Sequence, residues 1–346
     1  LSKIDRVDTD WQGLVLDAVR EELQRFGSDS DWPILPISVL TGEGLEALRE
    51  ALIETASEVA ERPKSDLFRL PIDRAFTIPG AGTVVTGSVW SGSVARGEAV
   101  QLLPSGGRAR VRGIQRFGTD VETVGPASRC ALSLAGLPLE RVETGDMVVS
   151  DSGWRAVRRF GARIRLLPAA VEGLDHADHV RLYHGTSETL ARVLLQDGGT
   201  LAPGESAAAV LVTRDPIPLR VRDRFVLRRV SPMRTIGGGR VAELAPTRRW
   251  RASATSWMRL LDAKPDEATE IAVRLAAGQG IDRSALALHT GFPVNPDEGP
   301  GNAVVLSDRL FATDIVDEAR EAVLESIRNA HAGSPRQPGV PLESVR

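Results

Sequence analysis

The residues best equipped for chemistry open the chain. Ser2-Lys3-Ile4-Asp5 is followed, one helical pattern and one apolar run later, by Ser38-Val39-Leu40. An aspartate presents two acceptors side by side, so an edge with two adjacent N–H donors can dock on it in a fork, and charge-assisted forked bonds are the strong kind. Guanine has such an edge, N1–H beside the exocyclic amine, and adenine does not. One bidentate contact of this kind separates bases by about 1–3 kcal/mol. The Lys3 stem can lie over a ring face, and a backbone N–H near Val39 can reach O6. Ser2, Lys3, Asp5, Ser38 and Val39 form the candidate base-reading set.

Phosphate chemistry does not accompany it. The nearest match to GxxxxGK[ST] is Gly82-Thr-Val-Val-Thr-Gly87-Ser88. It lacks the lysine and lies among strand-forming residues, where it cannot turn a helix N-terminus toward phosphate. Asp10-Trp-Gln-Gly13 has the form DxxG but falls on a helical pattern. His176-Ala-Asp-His179, with Asp175 and His184, has metal-ligating types; loop histidines beside acids are ordinarily solvated, and no metal is expected. Cys130 follows Arg129 but belongs to the apolar run 130–134, which reads as an inert strand residue.

The elements that position these groups change in texture along the chain. Residues 1–62 alternate strand and helix: Trp11, Val15, Val19, Leu23 and Phe26 make one apolar face, Gly27 follows as a C-terminal cap, residues 34–39 form a short apolar run, and Leu45, Leu48, Leu52, Ala56 and Val59 make a second face. This is the βαβα end of a doubly wound sheet, and about 60 residues of it cannot close a core alone. After Pro63 come short β-rich runs at 68–72, 83–89, 99–103, 108–114 and 130–134, then again at 161–167, 179–183, 191–195, 207–212 and 225–229. Such runs with turn signals between them predict two consecutive β-barrels. Gly237-Gly238-Gly239 is expected to be a tight turn. From Arg248 the pattern is helical, with a stripe at Ala268, Ile271, Ala272 and Leu275, a short helix capped by Asp282, a hairpin around Ser307-Asp308 and a long helix from Asp314 to about His331. Helix, helix, two-stranded wing is the winged-helix pattern. Its second helix holds one arginine, Arg283, poor equipment for reading nucleic acid.

Composition sets the outer bounds. The 346 residues are 42% apolar and 26% charged with a net charge of −3, ordinary for a folded multidomain chain. A run long enough to span a membrane as a helix is absent. One cysteine excludes a disulfide scaffold and suits a reducing compartment. Of 43 basic residues only Lys3, Lys64 and Lys264 are lysine. Five arginines and no acid fall within 154–165, and seven against Asp223 within 220–240. Arginine stripes on an acidic total suit one nucleic-acid-facing surface.

Together these features resemble the selenocysteine-specific translation elongation factors of the SelB type. LSKIDRVD (1–8) and Ser38-Val39-Leu40 resemble the guanine-recognition pair of GTPases, [N/T/S]KxD and SAx. FRLPIDRAFTIPGAGTVVTG (68–87), RCALSLAG (129–136), DRFVLRRVSPMRTI (223–236) and TIGGGRV (235–241) carry the rest. The resemblance covers essentially the whole chain, and TIGGG before winged helices is its most specific part. It implies the C-terminal part of a P-loop GTPase α/β domain at 1–62, translation-factor β-barrels at 63–154 and 155–248, a winged helix at 249–313 and the start of a second at 314–346. It implies a monomeric cytoplasmic factor that binds GTP and selenocysteinyl-tRNA, delivers the tRNA to the ribosome at recoded UGA codons and hydrolyses GTP. Phosphate and Mg²⁺ ligands are expected before Leu1, and winged helices reading the selenoprotein mRNA hairpin after Arg346, so hydrolysis is not expected of these residues alone. The resemblance also gives Asp73, Arg74 and Arg129 an aminoacyl pocket, where arginines favour a selenolate over a neutral serine, and gives His184, Arg228, Arg229 and Arg234 a tRNA-facing role. The alternatives are a general Tu- or initiation-type GTPase and a non-enzymatic RNA-binding adaptor with a vestigial nucleotide domain.

Overall fold

The computed structural model describes residues 1–25, 32–59, 63–80, 82–151, 153–294 and 302–333. Phe26, Gly27 and residues 334–346, where the start of a second winged helix was expected, lie outside them.

Two helices, Thr9–Arg25 and Leu45–Glu58, follow the two amphipathic stripes of the N-terminal segment. Between them the apolar run contributes one parallel bridge, Ser2 to Ile37, rather than a full strand. Backbone bonds reinforce it: Ile37 N donates to Leu1 O at 2.8 Å and Leu1 N to Leu35 O at 2.9 Å. The helix Leu45–Glu58 buries no residue, and Trp11, Leu14, Leu52 and Ile53 stand exposed. Both helices thus carry apolar side chains uncovered by the rest of the described chain.

Six antiparallel strands form the first barrel: Arg69–Ile78, Gly82–Ser88, Ala99–Leu103, Arg108–Arg116, Arg129–Ala135 and Met147–Ser150. It closes because Ala99–Leu103 pairs both with Met147–Ser150 and with Arg108–Arg116. Side chains alternate with period two: Cys130, Leu132 and Leu134 enter the core, while Arg129, Ala131 and Ser133 face out. Leu70, Ile72, Val85, Val111, Ile114 and Leu132 fill the interior.

The second barrel closes in the order Ala156–Leu166, Ser206–Pro218, Ser187–Leu195, His179–His184, Arg224–Arg229 and Thr235–Glu243. Here one expectation is corrected. Gly237-Gly238-Gly239 is not a turn; it lies inside the last strand, paired with Ala156–Leu166 on one side and Arg224–Arg229 on the other. Its glycines are required by close approach. A Cβ on Gly238 would stand 2.4 Å from Phe225 O, and one on Gly239 2.4 Å from Arg163 O.

Beyond Glu243 come the helices Trp250–Asp262, Pro265–Ala276 and Leu286–Thr290 and a three-stranded sheet of Ile281–Asp282, Arg309–Ala312 and Ala303–Leu306. Pro265 at the first turn, with Asp266 and Glu267 beside it, is a favourable helix start. The expected hairpin is present, and the helix Thr313–Gly333 follows it. Asp282 does not cap the short helix with its side chain. Its carboxylate is held instead by Arg155 and Arg309, each at 3.1 Å.

This helical module is fastened to the second barrel. Trp257 is buried over Gly161, where a Cβ would meet the indole at 2.8 Å. Arg222 donates to Leu261 O at 2.7 Å, Leu260 O at 2.8 Å and Ala263 O at 2.7 Å. Those carbonyls are among the unsatisfied acceptors at the end of Trp250–Asp262, where a cation is also favoured by the helix dipole.

Candidate functional site

The parallel bridge brings the two N-terminal motifs together. Ser38, fully buried, donates through Oγ to Asp5 Oδ1 at 2.5 Å and accepts from Thr41 N at 3.2 Å. Gly44, at φ +73, permits the tight loop that follows; a Cβ there would stand 2.1 Å from Pro36 O. Lys3 takes a left-handed backbone, φ 65, just before the single helical turn Ile4–Arg6. Ser2, Lys3, Asp5 and Val39 are exposed around this point. Ser38 therefore orients the exposed Asp5 through one carboxylate oxygen. The geometry offers a forked acceptor at the ends of two parallel segments.

The second cluster lies on the outer face of the first barrel. The register of Arg69–Ile78 against Gly82–Ser88 shifts between Ile72 and Arg74, which places Asp73 at a bulge. Bulges re-aim side chains. Arg129 grips Asp73 with both terminal nitrogens, Nη1 to Oδ2 and Nη2 to Oδ1, the latter at 3.1 Å. Thr86 donates to Asp73 Oδ1 at 2.6 Å. Burial pushes the Asp73 carboxyl up, but the bonds from Arg129 and Thr86 and the charges of Arg129 and Arg74 outweigh it and hold the group below its ordinary value. Arg129 is pushed up by its bond to Asp73. Arg74 is exposed beside the pair. Asp73, Arg74 and Arg129 thus form one outward cluster with a guanidinium surplus. Cys130, one residue along, points inward, and burial pushes its thiol up to about 12.

The four residues given a tRNA-facing role separate. His184 is a correction: it is 2% exposed and its Nε2 lies 3.2 Å from Asp223 Oδ2 between the two barrels. Asp223 also accepts from Arg69 Nη1 at 2.8 Å and Arg220 N at 2.9 Å. Trp90 meets the His184 ring edge-on at 5.4 Å, and the Arg69 guanidinium lies 5.1 Å from the Trp90 ring. His184 is thus part of the fastening between barrels and has no surface to offer. Arg229 is committed to Asp178 at 3.1 Å and to Gly173 O. Arg228 stacks its guanidinium 5.7 Å from the Tyr183 ring, and Arg234 is exposed. Sequence reasoning missed the Arg69–Asp223–His184 cluster because its members are far apart in the chain. Thr86 was missed because its partner Asp73 lies 13 residues away on the neighbouring strand.

Comparisons with known proteins agree with this architecture region by region. Residues 82–149 match the family model "Elongation factor Tu domain 2", and residues 161–248 match "Selenocysteine-specific elongation factor, beta-barrel domain". A selenocysteine-specific elongation factor of Desulfomicrobium baculatum is 32% identical over 98% of this chain and 55% of its own length. That of Escherichia coli is 31% identical over 80% of this chain and 43% of its own length. The chain is a homologue of the selenocysteine-specific elongation factors. It spans about half the length of these relatives. A crystal structure of a bacterial selenocysteine-specific elongation factor, EF-Sec, superposes with a TM-score of 0.81 over the whole chain and 55% of its own length, at 18% identity. SelB of Methanococcus maripaludis, solved in its apo form and with the GTP analogue GPPNHP, superposes with a TM-score of 0.63 over 72% of the chain, at 24% identity. These structural likenesses establish the shared translation-factor fold. Among the described residues, no helix is long and apolar enough to cross a membrane, and no three His, Cys, Asp or Glu side chains gather as metal ligands.

Proposed function

We propose that this chain is the central part of a translational GTPase that inserts selenocysteine, and that two of its clusters perform that task. Asp5 reads the N–H edge of guanine, oriented by Ser38, while Lys3 covers the ring and the backbone at Ser2 and Val39 completes the cradle. Asp73, Arg74 and Arg129 face the aminoacyl end of selenocysteinyl-tRNA. A selenol is more acidic than a thiol, whose unperturbed pKa is about 8.5, so the bound group is a selenolate and arginine favours it. Asp73, deprotonated and gripped by Arg129, fixes the guanidinium plane rather than neutralising every donor.

The phosphate and Mg²⁺ ligands needed for GTP hydrolysis come, in this reading, from sequence outside these 346 residues. The same holds for the reader of a selenoprotein mRNA hairpin. The modules at 1–62, 63–154, 155–248 and 249–313 act as a nucleotide-binding end, two tRNA-carrying barrels and a winged-helix spacer, with a second winged helix opening at 314–346, in a monomeric cytoplasmic protein that meets the ribosome. Arg228 and Arg234 remain as candidate tRNA backbone contacts.

The observation that carries the proposal is the exposed Arg129–Asp73–Thr86 cluster on a barrel that matches a translation-factor domain. Its test is Arg129→Ala in a protein spanning the full length of the relatives, with binding of selenocysteinyl-tRNA and seryl-tRNA measured side by side. The expected result is a loss of at least tenfold for selenocysteinyl-tRNA with little change for seryl-tRNA. Equal losses for both would remove the pocket assignment.

A further inference from the structure

A cavity of about 420 Å³ lies where the second barrel meets the helical module, well within the size of small-molecule sites. Val157, Leu244, Ala272, Leu275 and Leu288 give it apolar walls. Its polar groups are unevenly distributed. Glu243 and His289 line the pocket between these walls. Glu243 accepts from Ala245 N at 2.9 Å and keeps further lone pairs. Burial raises its pKa against the lowering influence of the backbone N–H groups of Ala245 and Leu244, so paired donors from a ligand would favour its ionised form. Burial with the nearby Arg155 and Arg309 lowers the pKa of His289 to about 4, so the imidazole is neutral at ordinary pH.

Arg155 and Arg309 also line the cavity, with the Asp282 carboxylate between them. Each nitrogen of Arg309 makes one bond, Nε to Gln279 O at 2.7 Å, Nη2 to Gly280 O at 2.9 Å and Nη1 to Asp282 at 3.1 Å. Arg155 is different: its side chain is 78% exposed and only Nη2 reaches Asp282, at 3.1 Å. A ligand that matches this lining combines N–H donors for Glu243, an apolar body for the walls and an anion for Arg155.

We propose that this cavity is a second nucleotide site, distinct from the Asp5 cluster, that takes a purine mononucleotide with the base between the apolar walls, paired N–H donors on Glu243 and the phosphate at Arg155. Guanine supplies that donor pair, whereas adenine supplies only its amine. An occupant would also touch the barrel and the module at once and hold them together, since the walls come from both.

The test uses the chain as it is, with GMP, AMP, guanosine and inorganic phosphate as probes. Binding is followed by calorimetry, and the site is located by methyl shifts of Val157 and Leu288. GMP should bind and move both methyls, AMP and guanosine should bind at least tenfold more weakly, and phosphate alone should leave the methyls unmoved. Arg155→Gln should bring GMP down to the level of guanosine, and Ala272→Phe, which fills the cavity, should abolish the shifts. Asp5→Asn should leave them unchanged. Should Ala272→Phe fail to fold, Glu243→Gln serves, with the loss of GMP preference over AMP as its readout. The proposal is overturned if no probe moves the methyls, if AMP binds as tightly as GMP, or if Asp5→Asn rather than Glu243→Gln removes the binding.

Discussion

Two aspartate–arginine clusters in this molecule use the same groups in opposite surroundings. Asp223 is buried between the barrels, with Arg69, His184 and the Arg220 amide all pointed at its carboxylate. Asp73 lies on the outside of the first barrel, with Arg129 more than half exposed and Thr86 beneath. For Asp223, burial pushes the carboxyl up, but Arg69 and His184 overcome it and bring it to about 2. Water already screens much of the second pair, and surface ion pairs contribute only about 0–1 kcal/mol. The first cluster is therefore a fastening, and the second is the tool of the proposed function. A charge pair kept at the surface with little stabilising value is available to a ligand, whereas one surrounded on every side is not.

Removing the carboxylates separates these roles. Asp223→Ala strands Arg69 in a buried site, and breaking such a pair costs about 3–5 kcal/mol. The midpoint of urea unfolding should fall accordingly, followed by tryptophan fluorescence, to which Trp90 and the buried Trp154, both beside the Arg69 guanidinium, contribute. Asp73→Ala should lower the unfolding free energy from the same curves by less than about 1 kcal/mol. Acid adds a second discriminant. The folded pKa of Asp223, about 2, lies below its unfolded value, so its stabilisation is complete above about pH 4 and is lost as pH falls toward 2. Asp223→Ala should flatten that part of the acid curve. Equal destabilisation by the two substitutions would erase the distinction.

The next effect tests what holds the second barrel closed. Gly238→Ala puts a methyl 2.4 Å from Phe225 O, against backbone that cannot move aside cheaply. Overpacking of this kind costs about 1–3 kcal/mol, and the melting temperature should fall. An unchanged melting temperature would mean that the pairing of Thr235–Glu243 is looser than described.

Much of this architecture could be read from the amino acids, and the misses share one cause. Strand runs such as 99–103 and 225–229 announced themselves through short clusters of β-branched and apolar residues. Met147–Ser150, which closes the first barrel, and Thr235–Glu243, which closes the second, did not. Each contributes less local signal than its partners: one has four residues, and the other carries three successive glycines required by the neighbouring backbone. Closure is a property of pairing, and pairing is non-local. The same applies to the sites. Asp5 and Ser38 stood in recognisable local motifs and the structure joins them. His184 also looked available in sequence, because Asp223, Arg69 and Trp90, which enclose it, are distant in the chain.

A smaller, pH-dependent effect distinguishes the junction cavity from the barrel junction. His289 has its folded pKa lowered to about 4, below the unfolded value. A histidine held neutral contributes nothing adverse above about pH 6.5 and destabilises progressively as pH falls from there toward 4, because the unfolded chain binds the proton first. His289→Asn should remove that part of the acid slope and leave the part near pH 2–4 that belongs to Asp223. Urea midpoints at pH 7, 5.5 and 4.5 would show it; parallel curves for the two proteins would mean that His289 is solvated in the folded state.

The smallest effect sharpens the view of the exposed cluster as a thin charged layer on a closed wall. Arg129 and Cys130 are neighbours in one strand, and period-two alternation sends them to opposite sides. The guanidinium beside it pulls the thiol toward ionisation, but burial pushes further in the other direction, to about 12. Thiolate is the reactive form, so at pH 8 the folded chain should resist iodoacetamide and label fully once denatured in urea. Arg129→Ala removes the weaker influence only and should leave the folded rate unchanged within a factor of about two. Rapid labelling of the folded chain would mean that the wall behind Asp73 opens, and a selenolate pocket built on it would then have no fixed floor.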